Sequence, residues 1–129
     1  VGTMHRDHHS IARTIIGATL KEAGYRVNDL GVDVRPSDFL ERVEETGARI
    51  VIVFAEMMAT ARAVARVREM FATNGLDDVV ILVSGGPFTA DASLAREVGA
   101  NGVIPGAESA LKLIARVARD RASVGDGDA

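Results

Sequence analysis

With 15 basic against 18 acidic side chains, the 129-residue chain has a net charge of −3 and no basic excess to offer a phosphate backbone, so nucleic acid is not its main partner. Its size suits one domain with a continuous core, and no apolar run is long enough to span a bilayer. The absence of cysteine excludes disulfides, Cys-ligated zinc, iron–sulfur clusters and a thiol nucleophile; with no signal peptide in view, it fits a cytoplasmic protein.

Residues 1–4 ("VGTM") are a short apolar segment of the strand kind. From 10 to 23, Ile11, Ile15, Ile16, Leu20 and Ala23 form one helical stripe, which Gly24 ends. Residues 25–31 ("YRVNDLG") alternate and carry polar groups, as an edge strand does. Pro36 and Ser37 open a second helix, with Phe39, Leu40 and Val43 facing inward. The unbroken apolar runs 49–55 ("RIVIVFA") and 79–83 ("VVILV") read as buried parallel strands. Between them, Val64, Val67, Met70 and Phe71 mark a helix over 60–73. A short helix at 91–98 stops at Gly99, "NGVIP" (101–105) is a fifth strand, and residues 108–120 make the last helix. Residues 122–129 are small, polar and acidic, so they are expected to form a flexible tail on a domain of residues 1–121.

Strand and helix alternate five times with short connections. This predicts an α/β, Rossmann-like (flavodoxin-like) three-layer domain whose five-stranded parallel sheet has the order 2-1-3-4-5. Ligands of such sheets bind beyond the carboxyl ends of the strands, where strand order reverses. Loops 5–9, 54–60 and 84–90 meet there, and the first carries His5, Asp7, His8 and His9.

The three loops exclude several uses of this fold. A phosphate-accepting receiver needs an Asp closing the third strand, where this chain has Phe54 and Ala55. A flavin carrier needs a hydroxyl- and glycine-rich loop after the first strand, and a dinucleotide site needs G-x-G-x-x-G; neither is present. Nickel or zinc held by His5, Asp7, His8 and His9 stays open, although adjacent histidines on a tight turn do not easily face one ion.

The loop after the first strand reads Asp7-x-His9-x-x-Ala12, close to D-x-H-x-x-G. "DLGVDV" (29–34), "SGGPFT" (84–89) and "VGANGVIPGAESAL" (98–111) follow in order on the expected elements. Over residues 1–118 the chain resembles the cobalamin-binding (vitamin B12) domains of corrinoid methyltransferases, methionine synthase and the B12-dependent mutases. The resemblance implies a base-off cobalamin, methylcobalamin or another corrinoid, whose cobalt takes His9 as its lower metal ligand. Asp7 would be the hydrogen-bond partner of that imidazole and Thr60 the third member of the relay. Gly85 and Gly86 would give side-chain-free passage to the displaced nucleotide tail. The implied cofactor-binding set is Asp7, His8, His9, Ser10, Phe54, Met58, Thr60, Ser84, Gly85 and Gly86, with no catalytic residue of its own.

Two departures from the family pattern stand out. Ala12 replaces its last signature glycine, and Phe54 stands where it has a serine that contacts the buried base, followed by Glu56 in place of a leucine. The phenyl ring either narrows the tail's passage or stacks on the base. Thr60 is equally well read as a helix cap. The leading expectation is a methyl carrier that serves methyltransferase catalytic subunits or domains, with a helical cap domain expected upstream. The alternatives are the small subunit of an adenosylcobalamin-dependent mutase, a B12-dependent regulatory or photosensory module, or a scaffold that has lost the cofactor.

Overall fold

The computed structural model of the chain describes residues 1–5 and 10–125, with side chains as far as residue 120. Four strands, β1 (Gly2–Thr3), β2 (Ile50–Phe54), β3 (Val80–Ser84) and β4 (Gly102–Val103), form a parallel sheet in the order β1-β2-β3-β4. Thr3 pairs with Phe54, Phe54 with Ser84, and Val83 with Val103. Because successive strand residues face opposite sides, Ile52, Phe54 and Leu82 point one way, and Val51, Val53, Ala55, Ile81 and Val83 the other.

The first face is covered by α1 (Ile11–Glu22) and α7 (Ala107–Gly125), which bring Ile16, Leu20, Ala110 and Ile114 onto it. The second face is covered by α2 (Pro36–Thr46), α3 (Met58–Arg62), α4 (Val64–Thr73), α5 (Gly86–Ala90) and α6 (Ser93–Glu97). Phe39, Val43, Val64, Val67, Phe71, Phe88 and Leu94 fill that larger core. Each such side chain contributes about 1.5–3 kcal/mol by leaving water. With both faces covered, only the ends of the sheet are open to ligands.

The expected second strand is not a strand here. Residues 25–34 do run along the outer edge of β1: Leu30 N–H donates to the Val1 carbonyl (2.8 Å), Thr3 N–H to Gly31 (2.9 Å), and Val34 N–H to Thr3 (2.7 Å). A single parallel bridge joins Met4 and Val34. The regular ladder fails because Gly31 and Asp33 both have left-handed backbone, at φ +85° and +56°. The Asp29 carboxylate also takes the Gly31 N–H at 2.9 Å.

Asp29 has a second partner, the buried Arg13 of α1, which ties the edge segment to the first face. Burial pushes the Asp29 carboxyl up, but the Gly31 N–H and the Arg13 guanidinium outweigh that and hold it below its ordinary 3.8. A depressed carboxyl contributes stability above its unfolded pKa and loses it as pH falls through the folded value. Acid unfolding of Asp29→Asn is therefore expected to be flatter below pH 3.8 than that of the parent. At neutral pH the variant should be about 1–2 kcal/mol less stable, read by urea titration at each pH.

Three helical expectations change. The helix over 60–73 is two helices, α3 and α4, which meet at Ala63. The "SGGPFT" turn contains α5, because Phe88 is buried and Pro87 sits in the first helical turn. The last helix continues beyond 120 to Gly125.

Candidate functional site

Backbone bonds continue the sheet past its strands and hold the three rim loops level. Met4 N–H donates to the Phe54 carbonyl (3.0 Å), Ala55 N–H to Ser84 (3.0 Å), and Ile104 N–H to Val83 (2.8 Å). From this rim the chain leaves β1 at His5 and enters α1 after Ser10. Asp7, His8 and His9 of the expected site lie outside the described residues.

The two ends of that loop line different grooves. On the α1/α7 side, a groove of about 650 Å³ runs between Ser10, Ala12 and Ile15 on one wall and Ser84, Gly85, Gly86 and Pro105 on the other. Its only charged residue among the described ones is Glu56, whose Oε2 accepts the Gly86 N–H at 3.1 Å. On the other side, a groove of about 690 Å³ is lined by Met4, His5, Arg35, Met57, Thr60 and Arg66 among others. A third, mostly apolar cavity of about 290 Å³ lies at the amino ends of the strands, beside Val1 and Arg49, away from the loops.

The structure brings together Ser10, Ser84, Gly85 and Gly86 on the first groove. Ser10 is the N-cap residue of α1, and its carbonyl accepts the Thr14 N–H at 2.9 Å. Ser84 is buried, and its hydroxyl donates to the Ile104 carbonyl at 2.9 Å. Gly85 has φ +136°, and a Cβ there would lie 1.8 Å from the Ala55 carbonyl oxygen. The close approach of two loops is therefore sufficient reason for that glycine. At Gly86 a Cβ would meet nothing nearer than Glu56 Oε2 at 3.7 Å.

Thr60 lies on the other groove, where its hydroxyl accepts the Met57 N–H (3.3 Å) and donates to the Met57 carbonyl (3.0 Å), capping α3. Phe54 is neither on a groove wall nor at the surface. It is buried with Ile16, Leu20, Leu82, Ile104 and Ile114. His5 Nδ1 is 2.7 Å from Asp33 Oδ1, so the member of the proposed four-ligand metal set that is described faces a carboxylate. Among the described residues, no three His, Cys, Asp or Glu side chains gather as a metal site would require.

One feature departs from the helical stripe read in the sequence. Ile11 and Ile15 do not pack inward with Ile16 and Leu20 but are 78% and 50% exposed. Met57, on the loop after β2, and Met58, the first residue of α3, are 39% and 48% exposed. These are the exposed large hydrophobic side chains among the described residues; Ile11 and Ile15 line the first groove and Met57 the second. Residues 11, 15 and 16 are all apolar, so periodicity alone cannot tell which of them the core takes. Pro105, Gly106 and Ala107, also on the groove, carried no signal of a site in the sequence.

Comparison with known proteins gives a consistent picture. The chain is 33% identical over 118 residues to a corrinoid protein of Desulfitobacterium hafniense (strain Y51), covering 91% of this chain and 54% of that one. It is 36% identical over 118 residues to the trimethylamine corrinoid protein of Methanosarcina barkeri, covering 91% and 52%. It thus spans about half the length of the curated relatives it matches. In fold it is similar to a cobalamin-binding protein from Desulfitobacterium hafniense DCB-2 (TM-score 0.84, 23% identity, 89% of this chain and 56% of that one). It is also similar to a chain of the methanol:cobalamin methyltransferase complex MtaBC from Methanosarcina barkeri (TM-score 0.77, 26% identity, 90% and 44%). The model of the B12 binding domain matches residues 1–115, and the chain belongs to that family.

Proposed function

We propose that the chain binds a corrinoid across this rim, base-off, with His9 as lower cobalt ligand, and carries a methyl group between partner methyltransferase sites. One observation carries the reading: Ile11 and Ile15 on the first groove, Met57 on the second and the neighbouring Met58 are all exposed. A corrinoid laid on the rim would cover side chains that otherwise cost free energy in water, Met57 and Met58 by its apolar macrocycle and Ile11 and Ile15 by its nucleotide arm. The residues present fit the group on these grounds. When bound, the cobalt supplies a centre that accepts a methyl group and hands it on.

The chain's own residues would position that centre. Asp7, two residues before His9, would accept the second ring N–H of the imidazole and so fix its tautomer. The Thr60 hydroxyl would join by turning from the Met57 carbonyl toward that carboxylate. His8, Ser10 and Met58 would border the corrin. We read residues 28–34 as the degenerate second strand of a 2-1-3-4-5 sheet.

A carrier must present its centre to others, so methyltransferase subunits or domains are the proposed partners, with a helical cap upstream covering the upper face. The relatives named as corrinoid proteins and the MtaBC complex support this reading. No helix among the described residues is long and apolar enough to cross a membrane, and we propose a cytoplasmic setting.

Titration with hydroxocobalamin followed by absorption tests the proposal. The spectrum should shift to that of an imidazole-ligated, base-off corrinoid at one equivalent. Met58→Glu, which puts a charge under the macrocycle, should weaken binding about tenfold. A spectrum identical to the free cofactor at every protein concentration would rule the reading out.

A further inference from the structure

The groove on the α1/α7 side is closed at its inner end. Phe54 and Ser84 are register partners on neighbouring strands, and both side chains point to that face at the carboxyl end of the sheet. The groove wall includes Ile16 and Ser84 but not Phe54, whose ring fills the space beneath them between α1 and α7. Ser84 is fixed there by its bond to the Ile104 carbonyl. The inner end of the groove is therefore closed by a packed ring and a hydrogen-bonded hydroxyl. Its outer part is open, and Ile11 and Ile15 form an apolar shelf along it.

This bears on which corrinoid the protein takes, and it rests on the corrinoid reading above. The nucleotide arm of a corrinoid leaves the macrocycle on the face of the lower ligand. If an imidazole at position 9 holds that face, the arm must descend beside residue 10, which lines this groove. A heteroaromatic base cannot pass between α1 and α7 while the Phe54 ring is there. We infer that the base stays in the outer groove against Ile11 and Ile15, and that the protein consequently does not select among corrinoids by their lower base. The shelf recognises a flat apolar surface rather than hydrogen-bonding edges, so different bases serve alike.

The test compares three ligands: cobinamide, which lacks the nucleotide; cobalamin; and the analogue with adenine as lower base. Binding is read by absorption titration. The parent protein should bind cobalamin and the adenine analogue within about threefold of each other. Ile15→Glu should weaken both by about tenfold while leaving cobinamide within about threefold. Phe54→Ser should open the inner end and raise the ratio of cobalamin to adenine-analogue affinity to about tenfold or more. Because removing a buried ring can unfold a small domain, Phe54→Leu provides a smaller change of the same sign that keeps the site apolar.

A parent protein that prefers one base tenfold, or an Ile15→Glu effect equally large for cobinamide, would overturn the inference and leave corrinoid binding standing. Failure of all three ligands to bind would overturn both.

Discussion

Replacing Gly85 with alanine is expected to lower the unfolding free energy by about 4 kcal/mol, from a left-handed backbone that side chains rarely adopt and from overpacking. The backbone there has φ +136° and ψ +161°. The new methyl would stand 1.8 Å from the Ala55 oxygen and 2.7 Å from its carbonyl carbon. Ala55 cannot yield, because it is fully buried and its N–H is held by the Ser84 carbonyl at 3.0 Å. Gly86→Ala is the matched control: its methyl meets only ordinary contact with Glu56, so the cost should stay below about 1 kcal/mol. Urea unfolding of the two variants checks the contrast, and equal midpoints would show that the loops after β2 and β3 are not locked together as described.

His9→Ala is expected to have the largest effect on ligand binding. Losing a hydrogen-bond partner of a metal-bound imidazole typically costs 10- to 100-fold in metal affinity, and losing the imidazole itself should cost at least about 100-fold. The spectral change on adding hydroxocobalamin should vanish, while the urea midpoint should change little. Asp7→Asn should give a weaker effect of about tenfold, since an amide can still accept the ring N–H but carries no charge. An unchanged titration of His9→Ala would remove the imidazole from the proposal.

Much of the fold can be read from local pattern, because burial on both faces leaves unbroken apolar runs such as 50–54 and 80–84. Residues 25–31 were misleading for a physical reason. Their alternation suits an edge strand, but Gly31 and Asp33 adopt left-handed backbone and the Asp29 side chain takes a ladder donor. The position of the rim follows from the order of elements, whereas its apolar lining does not. Ile11 and Ile15 read as core because a helix with apolar residues at 11, 15, 16 and 20 offers a stripe wider than the sheet covers. Phe54 could be read as strand and as core, but its closure of the groove depends on Ser84, thirty residues away, and on the crossing of α1 and α7. The glycine at 85 likewise owes its identity to a contact with Ala55 that no local motif announces.

At the centre of the proposal is a nitrogen of this chain bonded to cobalt. The most direct measurement is the electron paramagnetic resonance spectrum of the protein loaded with cob(II)alamin, prepared once with ordinary histidine and once with nitrogen-15 histidine. An imidazole on the metal predicts a nitrogen splitting that passes from triplets to doublets on labelling. A splitting indifferent to the label, or none at all, would contradict it.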